Sequence, residues 1–183
     1  MFSRRTVQEA GPYKNGKQQF IFQGGRNKSI VTFYNCDPKD APKTTQPAHL
    51  GANAVITCGG KLLLERRRDN DTWALPGGGC KKKESGLDAV VRECYEELGL
   101  RISRERFLKL KVYDNPGRIA AYRDGSIWRM VIVVYGLEFA EEPPLRVSAE
   151  SKELRFFAKE EVRGLDIAVT HRDIVLEQFL EKA

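Results

Sequence analysis

Apolar residues recur along this chain with two periods, and the change of period divides it into elements. Runs rich in Val, Ile, Leu and aromatic residues, bounded by Gly, Pro or Asp, read as strands. They cover His49 to Cys58, Lys61 to Arg66 across Gly59-Gly60, Phe107 to Tyr113, Ile119 to Tyr122, Ile127 to Phe139 and Glu153 to Phe157. Met130 to Tyr135 is continuously apolar, as suits a central strand buried on both faces. Asp69-Asn70-Asp71, Asn115-Pro116-Gly117, Asp124-Gly125-Ser126 and Glu141-Glu142-Pro143-Pro144 form the turns and loops between them. A short strand is also expected near Leu100 to Ile102.

Helical spacing replaces alternation in the middle of the chain. Leu87, Val91, Cys94 and Leu98 recur as one apolar stripe, and Gly99 supplies the stop. Lys159 to Val162 reads as a short helical turn. Asp173 to Glu181 reads as a helix with Val175, Leu176, Phe179 and Leu180 inward and Ile174 just outside that side. Before these elements, residues 1–16 are an irregular lead-in. Gln18 to Gln23 and Ser29 to Tyr34 are strand-like around a Gly24-Gly25-Arg26-Asn27 hairpin loop. Residues 36–47, with three prolines, have linker composition. This hairpin either adds two strands to the domain, reaches to a second subunit, or is a local appendage. Strands interleaved with a central and a terminal helix predict an α/β sandwich.

The composition narrows function without fixing it. A chain of 183 residues suits one domain with a sizeable core. No apolar run is long enough to span a bilayer, and no apolar region follows Met1-Phe2-Ser3-Arg4-Arg5, so neither a membrane partner nor a signal peptide is expected. The net charge of +6 suits phosphorylated small molecules. Basic residues concentrate only at Arg66-Arg67-Arg68 and Lys81-Lys82-Lys83, too little for a nucleic-acid face. Cys36, Cys58, Cys80 and Cys94 lack C-x-x-C spacing, and His49 and His171 lie far apart, which argues against zinc. Reduced cysteines make the cytoplasm the simplest compartment.

The helix carries an unusual charge pattern. Glu93, Glu96 and Glu97 crowd an arc of roughly 100° near its C-terminal end. Like charges at these spacings repel, and the helix dipole disfavours anions there. A divalent cation would resolve the repulsion, and oxygen ligands point to Mg²⁺ or Mn²⁺. Taken alone, the cluster reads first as a solvated acidic face, which is what most Glu clusters are.

The cluster follows Leu75-Pro76-Gly77-Gly78-Gly79, and together they form a longer pattern. Gly78, five residues, Glu84, seven residues, then Arg92-Glu93-Cys94-Tyr95-Glu96-Glu97-Leu98-Gly99-Leu100 resembles the Nudix box, Gly-x5-Glu-x7-Arg-Glu-U-x-Glu-Glu-x-Gly-U, with U a bulky apolar residue. The likeness extends to roughly residues 48–182. It implies a Nudix-type α/β/α sandwich with a mixed central sheet at residues 48–183, preceded by the N-terminal hairpin extension of residues 1–47. It also implies Mg²⁺-dependent (or Mn²⁺-dependent) cleavage of a phosphoanhydride. Expected substrates are a nucleoside diphosphate linked to another group, such as a nucleotide sugar or ADP-ribose, or a nucleoside triphosphate. The alternative is a nucleotide-binding or regulatory module without turnover. Homodimers are common among similar proteins.

By this resemblance Glu93, Glu96 and Glu97, with the carbonyl of Gly77 or Gly78, are the metal ligands, and Glu84 and Arg92 support them; the alternative for Glu84 is dipole compensation at the helix N-terminus or metal binding. The base is expected at Glu150, Glu153, or within the box at Glu96 or Glu97. One of Arg66, Arg67 and Arg68 would meet phosphate, and Tyr122, Trp128 and Arg129 are candidates for contact with a nucleobase. Lys81-Lys82-Lys83 departs from the usual interior of the box and puts positive charge beside the glycine loop.

Overall fold

The computed structural model describes residues 17–22, 29–69 and 71–182. The lead-in of residues 1–16, the loop at Gly24 to Asn27, and Asn70 of the predicted turn lie outside the described residues.

Two strands make the axis of the fold. Strand β3 (His49–Cys58) runs parallel to β9 (Ile127–Phe139) along its whole length, from His49 opposite Met130 to Cys58 opposite Phe139. The other pairings between described strands are antiparallel, and an isolated parallel bridge joins Trp73 to Ile167. On one side β4 (Lys61–Arg67) joins β3, and β10 (Ser151–Phe157) joins β4. On the other, β8 (Arg118–Tyr122) pairs with the first residues of β9, and β7 (Leu108–Tyr113) pairs with its later part. Strands β1 (Lys17–Phe22) and β2 (Ser29–Asn35) form a hairpin whose second strand pairs with β8. The extension therefore continues the sheet.

Alternation along these strands builds two cores. Ala52, Ala54, Ile56, Leu63, Val133, Tyr135 and Phe156 face helix α1 (Gly86–Leu98) and meet its Ala89, Val90, Cys94 and Leu98. Val55, Leu62, Leu64, Ile132 and Val134 face the opposite layer. That layer comprises α2 (Lys159–Val162), α3 (Arg172–Val175) and a π-helical turn at Leu176–Leu180. The result is the expected α/β/α sandwich with a mixed sheet. No helix among the described residues is long and apolar enough to cross a membrane.

Three local expectations change. Leu100 and Ile102 are buried as irregular chain, not as a strand. Pro38–Asp40 forms a 3-10 turn inside the linker-like segment, with the Asp37 carboxylate accepting from the Lys39 N–H. In the last helix Ile174 is fully buried and Leu176 is partly exposed, the reverse of the prediction. The buried face is Ile174, Val175, Gln178 and Phe179, an ordinary helical set one position earlier than predicted, and its polar member Gln178 donates to the Tyr113 hydroxyl.

Helix α1 is sharply bounded. The Ser85 hydroxyl accepts from the Asp88 N–H at its start, and Gly99 closes it at φ 75°, in the left-handed region. A Cβ at Gly99 would also lie 2.9 Å from the Arg146 Cβ. Gly99→Ala is expected to destabilise the chain by about 1–2 kcal/mol, measured as a lower urea midpoint at unchanged slope.

Candidate active site

The glycine loop is laid against the end of β3. Trp73–Ala74 (β5) pairs with β4, and Gly77–Gly79 (β6) pairs with β3, so that Asn53, Ala52 and Gly51 oppose Gly77, Gly78 and Gly79. The Asn53 amide donates to Leu75 O and Pro76 O, at 3.4 Å each, and the Ala54 N–H donates to Pro76 O at 2.9 Å. Gly77 sits at φ 140°, and an added Cβ would come 2.2 Å from Ala52 O. Its N–H donates to Glu97 Oε2 at 2.8 Å. Gly78 leaves room for another carboxylate: a Cβ there would stand 2.5 Å from Glu93 Oε1.

Arg92 ties this loop to the helix. Its Nε and Nη2 fork onto Glu84 at 2.8 and 2.9 Å, and Nη2 also donates to Gly79 O at 3.0 Å. Nη1 reaches Glu93 Oε1 at 2.6 Å and Glu96 Oε2 at 3.0 Å. Glu84 accepts from the Lys81 N–H as well. The Arg92 fork and this second donor pull its pKa down to about 2. Lys81 Nζ lies 3.6 Å from Glu96, so one of the three lysines is drawn to the helix.

The three glutamates of the helix do not share one environment. Glu96 is largely exposed and held by Arg92 and Lys81. Glu93 is half-buried, and burial raises its pKa despite Arg92. Glu97 is only 6% exposed, on the side facing the sheet and the loop. That corrects the expectation of three acids lying off a buried stripe. The buried face of α1 is turned toward Val90, Cys94 and Glu97, with Leu87 and Val91 at its margin.

Glu97 has a neighbour that the sequence reading missed. Glu65 on β4 is 1% exposed and accepts from Ser151 Oγ at 3.0 Å and Arg67 Nη1 at 3.3 Å. Burial raises the pKa of both carboxyls; the Glu65 charge raises that of Glu97 further, and the Glu150 and Asp69 charges raise that of Glu65. The available signal was an acid closing Leu62-Leu63-Leu64 with the strand parity of Leu63, which faces α1.

Strand parity also sorts the remaining candidates. Arg67 shares the face of Glu65, where it bonds Asp69 through Nε and Nη2 at 3.1 and 3.0 Å. Arg66 and Glu153 oppose one another on the other face, and Arg66 pairs with Asp71 there. Neither is brought to the carboxylates. Arg68 instead straps the loop before β10, donating through its side chain to Ala149 O and Ser151 O and through its N–H to Glu150 O. Glu150 itself is exposed, and its charge raises the pKa of both Glu65 and Glu93. Arg129 lies beside Trp128 on β9 and donates to Asp114 O, and Trp128 meets His49 edge-on at 6.1 Å. Tyr122 is partly exposed on β8.

Among the described residues no three Asp, Glu, His or Cys side chains form a ready-made cage for an ion. The donor set nevertheless fits a hard cation. Glu93 and Glu97 are one helical turn apart, and each keeps one carboxylate oxygen with no hydrogen bond among the described residues.

Helix layers on both faces of a mixed sheet, with a glycine loop locked to an acid-bearing helix, define a Nudix-type domain. The NUDIX domain model matches residues 47–179, and the chain belongs to that family. A MutT-like protein of Streptomyces ambofaciens is 38% identical over 90 residues, 48% of this chain and 56% of the relative's length. The chain thus spans little more than half of that relative. The crystal structure of a MutT NUDIX hydrolase from Burkholderia pseudomallei is 32% identical. It matches over 73% of this chain and 98% of its own, with TM-score 0.56. A bifunctional NMN adenylyltransferase/ADP ribose pyrophosphatase from Francisella tularensis, solved with AMP and a Mn ion, shares the fold at 20% identity. There the match covers 76% of this chain and 44% of the other, with TM-score 0.52.

Proposed function

We propose that this chain is a pyrophosphohydrolase using Mg²⁺, replaceable by Mn²⁺. In this reading it cleaves a phosphoanhydride in a nucleoside diphosphate linked to another moiety, such as a nucleotide sugar or ADP-ribose, or in a nucleoside triphosphate. One observation carries it: Glu97 is buried beside Glu65 and Glu93, with one oxygen answered only by Gly77. Such crowding destabilises the ionised state and suits a hard cation.

Glu93 and Glu97 would hold the ion, with Glu96 beside them and the Gly78 carbonyl contributed by the loop. Bound there, the ion would neutralise diphosphate charge and acidify a water. Arg92 and Glu84 fix the loop against the helix so that the carboxylates keep their spacing. Glu150 takes the proton from the attacking water, its loop held by Arg68. Arg67 and Arg129 are the substrate-facing cations of this reading, and residues 48–183 are its catalytic unit.

Incubation with Mg²⁺ and ADP-ribose, a nucleotide sugar or a nucleoside triphosphate, with products resolved, tests the reading. Nucleoside monophosphate release is expected from at least one of them. Tight nucleotide binding without turnover in either Mg²⁺ or Mn²⁺ would instead support a regulatory module. Glu150→Gln is expected to lower kcat about 10²-fold with little change in KM.

A further inference from the structure

We propose that His171 is a positioning residue for the glycine loop, reaching it from the layer opposite α1. The assignment rests on the hydrolase reading above, whose residues it orders without touching substrate.

The backbone from Trp73 to Gly77 is pinned group by group. Trp73 N–H donates to Asp166 O, and Trp73 O accepts from Ala168 N–H. Leu75 O and Pro76 O accept from Asn53, and Gly77 N–H ends on Glu97. Between these stands the N–H of Leu75, a residue only 1% exposed, and its partner is His171 Nδ1 at 3.1 Å. A buried N–H at that point needs an acceptor. Two residues further on, the same chain presents Gly77 to Glu97.

His171 is built to accept. Nδ1 takes the Leu75 hydrogen, so the ring proton belongs on Nε2. Burial and the Arg118 and Arg67 charges hold the imidazole neutral, with its pKa down at about 3. The segment carrying it is fastened on several sides. Arg118, fully buried, donates to Thr170 O and pairs with Asp173 at 2.5 Å. Asn35 donates to Val169 O, and Arg172 Nε donates to Ile167 O. The C-terminal layer thus acts as a fixed bracket, and His171 transmits its position to the loop.

Three substitutions separate positioning from bulk packing. Asn places its amide oxygen where Nδ1 stands, Gln places its oxygen further out, and Leu removes the acceptor. Mn²⁺ affinity, read by electron paramagnetic resonance of the free ion, is measured beside turnover and thermal midpoint. His171→Asn is expected to stay within about threefold of wild type, whereas His171→Gln and His171→Leu bind Mn²⁺ about tenfold or more weakly. Should the Leu variant fail to fold, the Asn and Gln pair decides. Equal Mn²⁺ affinity in that pair, with wild type binding normally, overturns the role of His171 alone. A wild-type chain that neither binds Mn²⁺ nor cleaves any substrate overturns the hydrolase reading and this assignment with it.

Discussion

Replacing Glu97 with Gln will lower kcat about 10³-fold, or ~4 kcal/mol of barrier, without loss of stability in the metal-free protein. The side chains are isosteric, and the Gln oxygen can still accept the Gly77 N–H that Glu97 holds at 2.8 Å. What disappears is a charge that burial, Glu65 and Glu93 all oppose. A carboxyl whose folded pKa is raised retains protons that the unfolded chain has released. Its stabilising contribution is therefore complete below the ordinary carboxyl range and is lost as pH rises through the folded pKa. The metal-free wild type should lose thermal stability from pH 5 to pH 8, and Glu97→Gln should lose less. Saturating Mg²⁺ should reverse the order at pH 8: wild type gains about 2.7 kcal/mol at a hundredfold excess over Kd, and the variant gains little. Melting curves at both pH values, with and without Mg²⁺, read these signs separately from turnover. A variant with full activity, or a wild type indifferent to Mg²⁺, would remove Glu97 from the metal site.

Gly77→Ala is expected to abolish activity and cost about 3 kcal/mol or more of stability. Two independent obstacles meet at this residue. Its φ of 140° lies where side-chain-bearing residues rarely go, and the new methyl would stand 2.2 Å from Ala52 O and 2.7 Å from Asn53 Cα. Both are backbone atoms of the central strand, which its ten-residue ladder to β9 holds in place. The loop must therefore lift. Lifting strains the Pro76–Ala54 bond, the Asn53 contacts and the Gly77–Glu97 bond together. Gly78 provides the contrast, because the methyl there meets only the movable end of Glu93. Gly78→Ala should keep the wild-type melting point closely while weakening activation by Mg²⁺. Equal loss of stability in the two variants would show that the loop is more pliable than its contacts imply.

Local order was legible wherever a period or a turn residue expressed it. The strand at Ile127–Phe139, the hinge at Gly59-Gly60 and the stop at Gly99 all follow from residues within a few positions of each other. The last helix was misread on the same basis, because the polar Gln178 stands at an inward position and hides a buried face that starts at Ile174. The site was legible only as far as its loop and helix are contiguous. Helical spacing gathered Glu93, Glu96 and Glu97 on one arc, but the arc has no absolute direction until something packs on it. The sheet and the glycine loop took Glu97 inward and left Glu96 to Arg92 and Lys81.

By itself, then, the sequence determined the elements, the glycine loop and the family pattern that joins them, because those depend on neighbours along the chain. Tertiary structure alone decided that Glu65 stands against Glu97, that Arg67 and not Arg66 shares their face, and that His171 supports Leu75. Those relations join residues dozens of positions apart. They are fixed by strand register and layer packing, where a shift of one residue carries a side chain to the other side of the sheet.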